Sequence, residues 1–298
     1  MSTKFFQPGD APDPAYRNLR DLGERCDYRA FCEALWPRFE PYADPHFLKE
    51  VRRQFHPRFW EMYLAVAFLE RGYTLHKHRD GGPEFGIDLD GTRFWFDAIA
   101  PTAGSGPDAV PRLEYGKSEA SRVPQEQIIL RITSALDAKR AKWVKDLKSG
   151  RISAHDGYIV AINDRSIREA WLGSDMPYVV KALYGFGDIA VSFDRKTLQV
   201  VEAKYLHRPT ISKMSGAGIS SQPFAARECP EVSAVLYSSV DAANFPRSLG
   251  GDFMILHNDR PTVPLGHGTL RFAREYWLDE ESLQMRNWSA TPSPIQEA

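Results

Sequence analysis

Residues 57–101 constrain the fold more than any other stretch of this chain. They read PRFWEMYLAVAFLERGYTLHKHRDGGPEFGIDLDGTRFWFDAIAP. Apolar residues at helical spacing (Phe55, Phe59, Met62, Val66, Leu69) pass directly into segments that alternate apolar and polar residues. A period of 3.6 requires a helix laid on a core, and a period of 2 requires a strand. Gly72 supplies a helix stop, and Asp90-Gly91 supplies a tight hairpin turn. The pattern predicts a helix over 45–70, opened by Asp44-Pro45 as cap and first helical residue. A three-stranded meander over 73–101 follows, its first strand at 73–78.

Further along, 102–123 is Gly/Pro-rich and reads as a long loop. Pro124 opens a second long helix that closes at Gly150, and YIVAI at 158–162 is the continuous apolar run of a buried central strand. The order αβββαβ is therefore expected over 45–162. Before it, 1–14 reads as a loosely held arm. Short helices are expected over 15–43, where Tyr28, Phe31, Leu35 and Trp36 fall at helical spacing. After it, IAVSF, TLQVVEAKY, SAVLYSS and FMILHN read as strands. The expected fold is α/β, a mixed central sheet with flanking helices and a β-rich C-terminal extension. Its divisions are a helical N-terminal arm (1–44), a core (45–165), a β-rich region (166–288) and a disordered tail (289–298).

The chain has 298 residues and a net charge of −1, so no global basic signature marks it as a nucleic-acid binder. Local patches decide such contacts. Cys26, Cys32 and Cys229 form no CxxC pair, which fits a reducing compartment and a cytoplasmic location. No apolar run approaches a membrane span, so no membrane partner is expected. The chain contains no GxSxG, HExxH, Walker lysine or GxGxxG pattern.

Three acids remain to be explained. Glu61 lies beside Leu64, Ala65 and Phe68 on the helix, where a carboxylate is costly unless paired or metal-bound. Glu84 opens one strand and Asp97 lies near the end of the next, within reach of each other across paired strands. Carboxylate oxygens converging from different elements suit a hard divalent cation. The ordinary alternative is a surface Glu61 paired with Arg58 or Lys77.

This arrangement resembles the PD-(D/E)xK superfamily, the restriction-endonuclease-like nucleases, over residues 45–162. The resemblance implies that Pro83-Glu84 stands for the PD and Asp97-Ala98-Ile99 for the (D/E)xK. Glu61, Glu84 and Asp97 would then hold Mg²⁺ or Mn²⁺ for phosphodiester cleavage, with nucleic acid, DNA first, as partner and a homodimer left open. The motif lysine position holds Ile99. The following helix offers Lys139 in its place, with Arg131, Gln125 and Gln127 as other polar groups. The same departure leaves a second reading, a catalytically inactive nuclease-like fold that binds nucleic acid or protein.

A competing match lies further along, where Asp188 with Glu202-Ala203-Lys204 spells a complete D…ExK on an expected hairpin. Its context is weaker, because no helix with an inward acid precedes it. Lys139, Lys142, Lys145 and Lys148 form a stripe that would suit a phosphate backbone or an ordinary solvated helix face. His76 and His78 would share a strand face.

Overall fold

The computed structural model describes residues 3–22, 26–77, 81–111, 123–167, 169–172 and 176–288. Among these, six α-helices flank a seven-stranded mixed sheet. The helices are α1 (Pro14–Asp21), α2 (Asp27–Phe39), α3 (Phe47–Val51), α4 (Phe55–Glu70), α5 (Gln125–Lys148) and α6 (Tyr178–Tyr184). The strands are β1 (Phe85–Leu89), β2 (Thr92–Ile99), β3 (Gly157–Asn163), β4 (Phe186–Phe193), β5 (Val200–His207), β6 (Thr210–Ser212), β7 (Gly218–Ser220), β8 (Ala234–Ser238), β9 (Met254–His257), β10 (Arg274–Asp279) and β11 (Ser282–Asn287).

The main sheet runs β1-β2-β3-β8-β9-β10-β11. β1 and β2 are antiparallel, while β2, β3 and β8 are parallel. Strands from the segment expected as a C-terminal extension thus complete the same sheet that β1–β3 begin. Two small ribbons, β4-β5 and β6-β7, stand apart from it.

Both faces of the sheet are covered, and alternation along each strand sorts residues between them. Phe94 and Phe96 of β2, with Ile159 and Ala161 of β3, join the core under α1–α4. Trp95, Tyr158, Val160 and Ile162 join the core under α5 and α6. α4 is buried nearly all round, and Trp60 Nε1 donates to Ala161 O at 3.0 Å, tying that helix to the central strand.

Three expectations change. The single helix over 45–70 is two helices, because Pro57 lacks an N–H and its ring would strike the Arg53 carbonyl in a continuous helix. The chain turns at 52–54, and Asp13 Oδ2 accepts from Phe55 N at 2.9 Å where α4 restarts. The strand expected at 73–78 is reduced to one bridge, His76 to Gly86, with His78 outside the described residues. The arm expected to be loose over 1–14 is clamped from residue 3. Phe5 and Phe6 are buried, and their N–H groups donate to the Glu33 carboxylate at 2.9 and 3.1 Å. The tail (289–298) and half of the long loop (112–122) lie outside the described residues.

The β1-β2 turn is as expected. Asp90 and Gly91 both have positive φ (48° and 81°), the pair that a two-residue hairpin with the right twist requires.

Candidate functional site

Asp97 sits on β2 beside Trp95 in alternation, so it faces α5 rather than α4. Its side chain is 1% exposed. Lys139 Nζ forms an ion pair with Asp97 Oδ1. Lys142 Nζ, one helical turn on, lies 3.0 Å from Oδ2 and also donates to Gly82 O at 2.5 Å. Tyr158 OH has one proton to donate, and both Asp97 Oδ2 (3.2 Å) and Lys139 O (3.1 Å) are within its reach. Burial and the charge of Asp97 push that phenol well above its usual range. Trp143 stacks on Tyr158 with centroids 4.2 Å apart and fixes the ring.

Glu84 precedes β1, and its N–H donates to Phe96 O at 2.8 Å, extending the ladder by one residue. This holds Glu84 next to Asp97 on the neighbouring strand. Its carboxylate makes no hydrogen bond or ion pair among the described residues. Glu84 keeps partial contact with solvent through the cavities it lines. Protein encloses it otherwise, and burial raises its carboxyl above the usual range; Lys139 opposes that rise and Asp97 adds to it.

Glu61 reaches the same place from α4. Burial pushes its carboxyl up to about 8, and the charge of Glu84 adds to the rise while Arg58 opposes it. Arg58 Nη1 lies 2.6 Å from Glu61 Oε2, one turn back on the helix, and Arg58 also pairs with Glu50. The Arg58 partner expected for a surface Glu61 is therefore present, although Glu61 is buried.

Two cavities, each of about 230 Å³, share Glu61 and Glu84 as walls. One opens at the end of β2 between Gln54, Pro57, Arg58 and Ile99. The other is lined by Phe39, Tyr42, Leu75 and Phe85 with Asp44 and Lys77. Glu84 thus stands between the others, sharing two cavities with Glu61 of α4 and neighbouring Asp97 of β2, which Lys139 of α5 reaches. Among the described residues, no three Asp, Glu, His or Cys side chains stand close enough together to hold a metal ion as they are placed. Carboxylate oxygens are the donors a hard divalent ion takes. Burial raises the carboxyls of Glu61 and Glu84, and Glu84 has no partner among the described residues.

The competing acids do not gather. Asp188 pairs with Lys181 at 3.0 Å, and Glu202 pairs with Lys204 at 3.0 Å on an exposed ribbon. Glu202 stands opposite Ser192, not Asp188. Of the other groups on α5, Arg131 donates to Thr102 O at 2.9 Å, and Gln125 lines a different cavity with Asp188. His76 pairs with Asp88 at 3.0 Å on the outer edge.

Sequence reasoning missed Lys142 and Tyr158 as parts of this cluster. The lysine stripe held the signal for the first, because Lys142 follows Lys139 at i+3 and must share its face. Tyr158 belongs to an apolar run and carries no signal of its own.

Protein-family models, curated proteins and solved structures were compared with this chain, and none matches it.

Proposed function

We propose that this chain is a divalent-metal-dependent nuclease that hydrolyses phosphodiester bonds, with DNA as substrate. The Glu84 carboxylate carries the reading. It lines two cavities, has no partner among the described residues, raises the Glu61 carboxyl and is itself raised by the charge of Asp97. The element order supports it in part: a helix with an inward Glu, an antiparallel strand pair, a helix and a parallel strand follow one another, while the first of the three strands expected of such a core is here only the His76–Gly86 bridge.

Glu84 and Asp97 would hold Mg²⁺ or Mn²⁺, with Glu61 joining across the cavity. A bound ion of this kind lowers the pKa of its water and neutralises charge on the scissile phosphate. The residues do the rest. Tyr158 and Lys142 fix the Asp97 carboxylate. Arg58 holds Glu61 and offsets its charge. Lys139 takes the role of the motif lysine from the helix, placing an ammonium beside Asp97 to neutralise charge developing on phosphate. Lys145 and Lys148, exposed further along α5, would meet the phosphate backbone as it leaves the site.

The test is plasmid nicking with Mg²⁺ or Mn²⁺ by the wild type and by Glu84→Ala and Asp97→Ala. Activity lost in both variants, with the fold retained, supports the assignment. Confirmed wild-type activity untouched by either change sinks it.

One observation favours the non-catalytic reading. Both Asp97 oxygens are already engaged by Lys139, Lys142 and Tyr158, so the charge of Asp97 is balanced without any ion. A binding module would behave that way, and calorimetry with Mg²⁺ separates the two, because such a module takes up none.

A further inference from the structure

The β4-β5 ribbon projects from the fold as an arm with one apolar face. Ile189 and Val191 of β4 stand opposite Tyr205 and Ala203 of β5, and past a bulge Phe193 pairs with Val200 next to Val201, continuing the apolar run outward. The other face carries Ser192, Glu202 and Lys204, with Ala190 and Leu206 among them. On the apolar side Phe193 is 57% exposed and Val201 70%. A two-stranded ribbon held only at its foot, where Lys181 of α6 pairs with Asp188, is marginal in water, and a contiguous exposed apolar strip of this kind marks an interface.

The arm is also polar end to end in charge. At its tip, Arg195 and Lys196 are exposed, while the Asp194 carboxylate is committed within the turn, accepting from Lys196 N and Thr197 N at 2.8 and 2.7 Å. At its foot, Phe186 and Tyr205 line a cavity of about 750 Å³ whose rim carries Glu280 and Glu281. Neither of these acids has an ion-pair partner among the described residues. Asp259, Arg260 and Arg227 line the same cavity, and Arg260 offsets Asp259.

We infer that the arm docks on the arm of a second copy of this chain about a two-fold axis, apolar face to apolar face. Antiparallel alignment sets each basic tip at the acidic foot of its partner, so one self-complementary patch closes a dimer. The eight-residue strands span about 27 Å, and two strands are about 10 Å wide. That face alone is small against the roughly 800 Å² per partner of a stable interface. Seating the tip in the foot cavity adds to that area, and the charge pattern fixes the register.

The test is sedimentation velocity on the full chain, with circular dichroism and thermal melting to establish that each variant folds. The wild type is expected to sediment as a dimer at micromolar concentration. Val191→Lys with Val201→Lys, both on exposed positions, is expected to weaken the dimer at least about tenfold without lowering the melting temperature. Arg195→Glu with Lys196→Glu is expected to weaken it as well, and adding Glu280→Lys with Glu281→Lys is expected to restore it. A wild-type monomer throughout overturns the inference and leaves the face to a different partner. So does a dimer indifferent to both arm variants, or charge reversals that do not compensate.

Discussion

Lys139 and Asp97 lie forty-two residues apart and meet as a buried ion pair between α5 and β2. The (D/E)xK lysine would sit two residues beyond Asp97, on the same strand face, where this chain has Ile99. The ammonium at Asp97 comes instead from the crossover helix. Helix and strand are brought together because α5 carries the chain from β2 to the parallel strand β3, and that connection lays the helix over both.

Exchanging Lys139 for Met should therefore cost activity more than fold. Cleavage is expected to fall about a hundredfold, the scale of losing one charge-stabilising donor. Metal binding by calorimetry should persist. Restoring an ammonium at the strand position, Lys139→Met with Ile99→Lys, should recover part of the rate. No recovery in a folded double variant would argue that Lys139 acts only as a counter-charge.

Asp97→Asn removes the charge that balances two lysines. Lys142 is partly exposed and can turn outward, so the expected loss is about 2 kcal/mol, below that of a fully enclosed pair. A urea titration measures it. A neutral result would mean that the ion pairs contribute nothing net to folding.

Glu61 makes stability depend on pH in a direction unusual for a carboxylate. Its folded value is about 8 against an ordinary 4.5, so between these the folded state binds more protons than the unfolded chain. Stability then falls as pH rises through that window and levels off on either side. Glu61→Gln removes the titration, and the urea midpoint of the variant should gain on the wild type toward high pH. A wild-type midpoint that rises over the same window would contradict the burial assigned to Glu61.

Gly157 opens β3 where a side chain would run into the Phe94 ring on β2. Gly157→Ala should cost about 2 kcal/mol, the usual scale of overpacking a core. Thermal or chemical denaturation checks it, and an unchanged midpoint would show that Phe94 can move aside.

Much of the site could be read from the residues because it is built from local patterns. The inward Glu61, the Asp90-Gly91 turn that sets β1 against β2, and the length of α5 all follow from periodicity and turn chemistry. Choosing Lys139 over Arg131 needed the phase of α5 against the sheet, which no local pattern contains. The rest is long-range. The pairing of β8 through β11 with β1–β3, and the break before Pro57 that Asp13 caps from far along the chain, depend on contacts between distant segments. The first meander strand failed for a related reason, since only His76 finds a partner at the sheet edge.

The most direct measurement is Mg²⁺ calorimetry on the wild type and on Glu84→Gln near neutral pH, in buffers of differing protonation enthalpy, with plasmid nicking on the same samples. The account predicts binding by the wild type, proton release as Glu61 and Glu84 ionise, metal-dependent nicking, and loss of all three in the variant. A folded wild type that neither binds Mg²⁺ nor nicks would contradict it, and the acids would then be a self-neutralised structural cluster.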